Sequence, residues 1–163
     1  MMVTPEHGSR ICRVDATHIA DLIEIGNETN LSPWSADSYL EEIKNPNAIM
    51  LRLVSDDNET MGFVVGRVVM GGNIESRPDA EIYNIAISGD YQGNGYGQKL
   101  LDRFMSEVTA HRVHNVWLEV RESNKRAIDL YSRNGFEKVQ TRPNFYQNPR
   151  EAALLMRLRI PGK

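Results

Sequence analysis

Asp90–Leu101 reads DYQGNGYGQKLL, with Gly93, Gly95 and Gly97 falling inside five residues before a run of good helix formers. A strand candidate, EIYNIAI (81–87), stands just before it. After it, Leu100, Leu101, Phe104, Met105 and Val108 form one apolar stripe, and Asp102, Arg103 and Glu107 lie off it, the pattern of an amphipathic helix. A glycine loop between a strand and a helix start is a place where backbone N–H groups and the positive end of the helix dipole meet an anion. The nucleotide loop G-x-x-x-x-G-K-[ST] fits no register here, and the dinucleotide pattern G-x-G-x-x-G fails at Gln98. Q-x-x-G-x-G does fit, through Gln92, Gly95 and Gly97. Taken alone, the same residues also read as a flexible turn, because Asn94-Gly95 is a turn dipeptide.

Working outward, RICRV (10–14) is a strand, residues 16–28 a helix through Ile19, Leu22 and Ile23, and Ser35 caps a second helix to about Lys44. AIMLRLV (48–54) and TMGFVVGRVVM (60–70) read as a hairpin. NVWLEVR (115–121) is a strand, and NKRAIDLYSRN (124–134) a helix closed by Gly135. FEKVQTR and EAALLMRLRI read as strands flanking a loop, PNFYQNP. The order predicts an α/β fold with a flexible tail at 1–9 and a single domain over 10–163. Residues 81–121 are expected to be a parallel strand–helix–strand unit.

With 163 residues and a net charge of −3, the chain has no bulk charge for nucleic acid, and no nucleic-acid partner is expected. MGFVVGRVVM is broken by Arg67 and too short for a bilayer, so no membrane partner is expected either. The lone Cys12 forms no internal disulfide and has no histidine pattern beside it. No secretory signal is read in the polar start, and the expected location is cytoplasmic. His111 and His114 are spaced H-x-x-H without further ligands, so no metal is expected.

Gln92, Gly95 and Gly97 match the Q/R-x-x-G-x-G/A signature of the GNAT acetyltransferases, and the likeness runs from about Arg10 to the C-terminus. NIAISGDYQGNGYGQKLL, WLEVRESNKRAIDLYSRNGFEKV, RPNFYQN and PWSADSY make it most similar to the RimI-type ribosomal-protein alanine N-acetyltransferases. The resemblance implies a GNAT fold: a mixed sheet of about six to seven strands flanked by about four helices. It implies acetyl-CoA as cosubstrate, with the loop cradling its pyrophosphate, and direct acetyl transfer to a protein or peptide N-terminus, the N-terminal alanine of a small-subunit ribosomal protein. Its cofactor contacts map onto Ile85, Ala86, Ile87, Gln92, Gly93, Asn94, Gly95, Tyr96, Gly97, Gln98, Asn124 and Tyr131. It also implies adjacent parallel strands that splay, so that backbone N–H groups on 82–87 meet the oxyanion. Two features depart from the family. GGNIESRPD is longer than the usual loop, and Ser88-Gly89 replaces an acidic–proline pair.

Acetyl transfer needs a base for the amine, a donor for the oxyanion and an acid for the thiolate. Val116, Leu118 and Val120 alternate with Trp117, Glu119 and Arg121, so Glu119 faces away from the apolar set. By resemblance it is the general base, through water; read alone it is a solvated glutamate on a strand. A carboxylate of ordinary pKa ~4.3 is a poor base for lysine at ~10.4 and a better match for an α-amine at ~7.7–8.0. Tyr131 shares a helix face with Asn124, Ala127 and Ile128, and Asn124 stands roughly 10 Å before it. By resemblance Tyr131 is the acid; read alone it is a core tyrosine on an amphipathic helix. Trp34, Asn84, Arg121 and Tyr146 are candidate acceptor contacts, with Asn144 and Phe145 beside them. Two other functions stay open: acetylation of a lysine, polyamine or other small amine, and a non-catalytic acyl-CoA-binding module.

Overall fold

The computed structural model describes residues 8–29, 31, 34–71 and 76–162. The expected tail up to residue 7, and residues 72–75 of the long loop, lie outside the described residues. The strands are β1 (Ser9–Arg13), β2 (Ala48–Ser55), β3 (Thr60–Val69), β4 (Asp79–Ile87), β5 (Asn115–Arg121), β6 (Glu137–Tyr146) and β7 (Glu151–Arg159). The helices are α1 (Ile19–Glu28), α2 (Ala36–Lys44), α3 (Tyr96–Ala110) and α4 (Lys125–Arg133). The strands form one mixed sheet in the order β1-β2-β3-β4-β5-β7-β6, in which only β4 and β5 run parallel. Among the described residues, seven strands and four α-helices give the expected α/β architecture.

Both faces of the sheet are covered. One core gathers Leu51, Leu53, Val64, Val116 and Leu118 under Leu100, Leu101, Phe104 and Val108 of α3 and Tyr131 of α4. The other joins Met50, Phe63 and Val65 to Leu22 and Ile25 of α1 and Tyr39 of α2. That is why β2 and β3 read as nearly unbroken apolar runs instead of alternating. Ser35 caps α2, accepting a bond from Ser38 N at 3.1 Å.

Two features position the site. β4 carries a bulge: Val65 pairs with Asn84 and Gly66 with Ile82, leaving Tyr83 as the extra residue. On its other side β4 pairs with β5 only through Ala80–Ile82 against Val116–Leu118. Past Ile82 the two parallel strands part, although β4 continues to Ile87 and β5 to Arg121.

The sequence reading differs from the structure at three places. Ser9, placed in the expected tail, already pairs with Ser55 as the first residue of β1. The helix expected over 16–28 begins as a 3₁₀ turn, Ala16–His18, because Asp15 and His18 close a reciprocal capping box, and α1 starts at Ile19. The last connection is also shorter than expected. β6 runs on through Pro143 to Tyr146, which an edge strand tolerates because its outer side needs no ladder donor, and its register shifts between Arg142 and Tyr146.

Gly66 sits where bulge and helix meet. A Cβ there would lie 2.4 Å from the Glu81 carbonyl oxygen and 2.4 Å from Phe104 Cε2. Gly26, inside α1, would bring a Cβ only to within 4.0 Å of Leu31 Cδ1. The two substitutions therefore have opposite signs. Gly66→Ala should lower unfolding stability by about 1–3 kcal/mol in urea titrations, since backbone oxygen cannot yield. Gly26→Ala should raise it by about 0.5–1 kcal/mol. Equal effects would show that the close packing of β4, β3 and α3 is not what holds the bulge.

Candidate active site

The glycine loop closes against the free stretch of β4. Ser88 N–H donates to Met61 O at 2.8 Å, so by strand alternation the N–H groups of Ala86 and Asn84 point to β3 and those of Ile85 and Ile87 point into the gap. Gln92 is tied at both ends: its Nε2 donates to Ile87 O at 2.9 Å, and its Oε1 accepts from Arg126 Nη1 of α4 at 2.7 Å. Asn94 Nδ2 donates to the carbonyls of Tyr91 and Gln92 at 3.1 and 3.2 Å, which holds the turn. Gly93 and Gly95 adopt φ +81° and +80°, and a Cβ on either would point into open space. Gly95 is the N-cap of α3 and supplies no side-chain acceptor, so the first-turn N–H groups face an opening that a pyrophosphate suits. Ser88-Gly89 is anchored by Glu28 of α1, which accepts from Gly89 N and, at 3.2 Å, from Ser88 Oγ.

This loop borders a cavity of about 820 Å³ lined by Ile85, Ala86, Ile87, Gln92, Gly93, Gly95, Tyr96, Gly97, Gln98, Asn124 and Arg126, among others. Asn94 is not among its lining residues, in keeping with its side chain bonding back into the turn. Gln98 lines it too, but its side-chain amide is engaged by Asn134 at 2.8 Å and Asp102 at 2.7 Å. Asn124 caps α4, its Oδ1 accepting from Ala127 N at 3.2 Å.

A second cavity of about 670 Å³ opens where β5 leaves β4. The two cavities share Leu31, Ile85, Asn124 and Ala127, so they meet across the gap. Glu119, Tyr131, Trp34, Asn84, Arg121, Phe145 and Tyr146 all line the second one. Tyr131 lines this cavity and not the loop cavity, and Asn144 lines neither.

Glu119 is partly buried. Its Oε1 accepts from Arg142 Nη1 at 2.9 Å, and its Oε2 is buried with no hydrogen-bond partner among the described residues. Burial pushes its carboxyl above the usual carboxylate range; the Arg142 charge opposes the shift and Glu81 adds to it. Tyr131 is 4% exposed and packs its ring on Phe136, and burial raises its hydroxyl well above an ordinary phenol. It is therefore protonated at every working pH. Tyr146 is pushed up to about 12 by burial, with the Glu119 charge next.

Arg121 is 7% exposed. Its guanidinium lies 4.3 Å from the Tyr146 ring centroid, and Nη1 reaches Pro149 O at 3.2 Å and Glu151 Oε2 at 3.4 Å. It clamps the β6–β7 connection over the cavity. Trp34 stacks at 5.2 Å on Tyr39 and 5.6 Å on Tyr83, and Asn84 is buried beside Tyr39 at the bulge. Sequence reasoning missed Arg142, Glu81 and Arg126. The two arginines lie in the stretches RPNFYQN and WLEVRESNKRAIDLYSRNGFEKV, but nothing local marks their partners, which are distant in sequence. Glu81 was legible, because alternation along β4 sets it opposite the buried Ala80 and Ile82. Among the described residues no three His, Cys, Asp or Glu side chains gather as a metal site, and no helix is long and apolar enough to cross a membrane.

Comparison with known proteins agrees with this geometry. The acetyltransferase (GNAT) family model matches residues 19–136. The chain is 34% identical over 151 residues to the [ribosomal protein bS18]-alanine N-acetyltransferase of Haemophilus influenzae, covering 91% of this chain and 97% of that protein. It superposes on the crystal structure of the ribosomal-protein-S18-alanine N-acetyltransferase from Escherichia coli with TM-score 0.82 and 28% identity, covering 96% of each chain. It shares its fold with Arabidopsis thaliana NAA60 in complex with acetyl-CoA, at TM-score 0.80 and 16% identity over 94% of this chain and 100% of that one. The chain belongs to the GNAT acetyltransferase family and is an N-acetyltransferase.

Proposed function

We propose that the protein transfers the acetyl group of acetyl-CoA directly to the α-amine of a protein N-terminus, the N-terminal alanine of the ribosomal protein bS18, and does so in the cytoplasm. The observation that carries this reading is the meeting of two cavities across the β4–β5 gap, one bordered by the glycine loop and the other holding Glu119 and Tyr131. The names of the relatives support the acceptor. Residues 10–163 act as one acetyltransferase domain.

In this reading the backbone of Gln92–Gln98 and the first turn of α3 hold the pyrophosphate, while Asn124 orients the pantetheine arm. The N–H groups of Ile85 and Ile87 bind the arm and the developing oxyanion in a site that needs no reorganisation. Glu119 removes the proton from the amine, directly or through water. Its raised proton affinity narrows the gap to an α-amine at ~7.7–8.0, which suits an N-terminus better than a lysine at ~10.4. Tyr131 returns a proton to the leaving sulfur, its neutral hydroxyl held at the cavity wall. Trp34, Asn84, Arg121 and Tyr146 shape the acceptor cavity. One observation favours a second acceptor class: Glu81 and Glu119 both line that cavity, which suits a small polyamine.

A peptide panel tests the acceptor. Acetyl-CoA turnover is measured on a peptide beginning with free alanine in the ribosomal-protein context, on its N-terminally blocked twin with an internal lysine, and on spermidine. The free N-terminus alone should be acetylated. Turnover only on the blocked peptide or on spermidine would overturn the acceptor, and cofactor binding without turnover on any of them would favour the binding module.

The catalytic roles are tested by removing each group. Glu119→Gln should lower kcat by about 10²–10⁴-fold with acetyl-CoA affinity nearly unchanged. Because the folded Glu119 carboxyl titrates above its ordinary range, wild-type kcat/KM should fall as pH drops through that raised pKa. The substitution should flatten that limb. Tyr131→Phe should cost kcat and leave the acidic limb in place. Wild-type turnover from Glu119→Gln across pH 6–9 would remove Glu119 from the mechanism.

A further inference from the structure

Arg142 reaches Glu119 from two strands away. β7 separates β5 from β6, with Arg142 in register with Ala153, and Ala153 in register with Arg121. Glu119 itself is in register with Leu155. Residues directly opposite in neighbouring strands share a face, so the Arg142 side chain crosses the sheet surface beside the small Ala153 to put Nη1 2.9 Å from Glu119 Oε1.

The other charged and titratable groups that line this cavity or share this face are Asp79, Glu81 and Tyr83 of β4, Arg121 of β5, Tyr146 of β6, Arg157 of β7 and Tyr131 of α4. None of them is a second cation bonded to Glu119: Arg157, opposite Trp117 in register, lies over the Trp117 ring at 5.4 Å from its centroid. Asp79 is bonded to Trp117 Nε1 at 3.0 Å and to Asn115, and Glu81 adds negative charge. Arg121 is committed to Glu151, Pro149 and the Tyr146 ring. The tyrosines are neutral. Arg142 is thus the one cation bonded to Glu119 among the described residues, and it holds Oε1 only. The opposite oxygen, Oε2, is the buried one.

We propose that Arg142 is a positioning residue that acts through Glu119, fixing one carboxylate oxygen and supplying the counter-charge bonded to it. This rests on Glu119 being the base. A carboxylate leaving water with a like charge beside it binds a proton and loses its function, and an opposite charge within ~4–6 Å reverses that tendency. The Arg142 side chain is 41% exposed on an edge strand, so its replacement leaves the core untouched.

The test is the pH profile of kcat/KM for wild type, Arg142→Gln, Arg142→Lys, Glu119→Gln and the Arg142→Gln/Glu119→Gln pair, with the free-alanine peptide and acetyl-CoA. Titration of the acceptor is common to all five and cancels in the ratios. Arg142→Gln should move the acidic limb up by about one pH unit or more, so that its loss is absent at pH 9, grows as pH falls and reaches about tenfold at pH values below the wild-type limb. Arg142→Lys, which keeps the charge, should restore the limb toward wild type. In the double variant the Arg142 change should add no pH-dependent loss. A loss from Arg142→Gln that is the same at every pH, or no loss, would overturn the inference while Glu119→Gln still flattens the limb. A limb that survives Glu119→Gln would instead overturn the base assignment, and the inference with it.

Discussion

The parting of β4 from β5 is the constraint on which the rest of the structure depends. Parallel neighbours in the middle of a sheet normally satisfy one another along their length. Here pairing stops after Ile82 and Leu118, and the gap-side N–H groups of Ile85 and Ile87 are left for something other than β5. Buried backbone donors without partners are costly, so such a gap persists only where the surroundings over-determine it. Three features do so. The Tyr83 bulge turns β4 away, Gly66 lets β3 and Phe104 close behind the bulge, and β7 pairs the far edge of β5 from Asn115 to Arg121. An extended ligand arm with its own amides can then complete β4 as a strand would, with its anionic end at the start of α3. One break in the sheet thus opens both the slot for a cosubstrate and the cavity for an acceptor.

The electrostatics of the site follow from the same break. Past the point where β4 withdraws, Glu119 and Arg121 on the polar face of β5 border a cavity. Glu119 is dry enough to hold its proton more tightly than an ordinary carboxylate, and Arg142 keeps that tendency in check. The balance matters because a base for an amine must be ionised and yet not be so weak that it cannot take the proton. Tyr131, buried on the Phe136 ring, is shifted in the same direction by burial and stays a donor. The opposite duties come from residue type together with the Arg142 charge, which acts on Glu119 alone.

Much of this was legible in the sequence, and the parts that were not share a reason. The loop was readable because its function requires glycines at fixed offsets between a strand and a helix, and the alternation of β5 placed Glu119 on the cavity side. The bulge at Tyr83 leaves no mark, since EIYNIAI has the alternation of an unbroken strand. Arg142 was invisible because its partner is 23 residues away and lies across an intervening strand. The segment PNFYQNP read as a loop because Pro143 excludes a central strand; only the sheet order reveals that β6 lies at an edge. Arg121 was expected to touch the acceptor. It lines the cavity, but its bonds run to Pro149, Glu151 and the Tyr146 ring, a clamp whose partners are set by the β6–β7 connection.

Amide hydrogen exchange along β4, with and without coenzyme A, tests the central claim most directly. Ala86 donates toward β3 in either state, whereas Ile85 and Ile87 gain a partner only when the gap is filled. Binding should slow exchange at Ile85 and Ile87 and across Gly93–Gln98, and leave Ala86 nearly unchanged. Tight binding with Ile85 and Ile87 unprotected, or with protection confined to another surface, would contradict the account of the gap as the slot around which the protein is built.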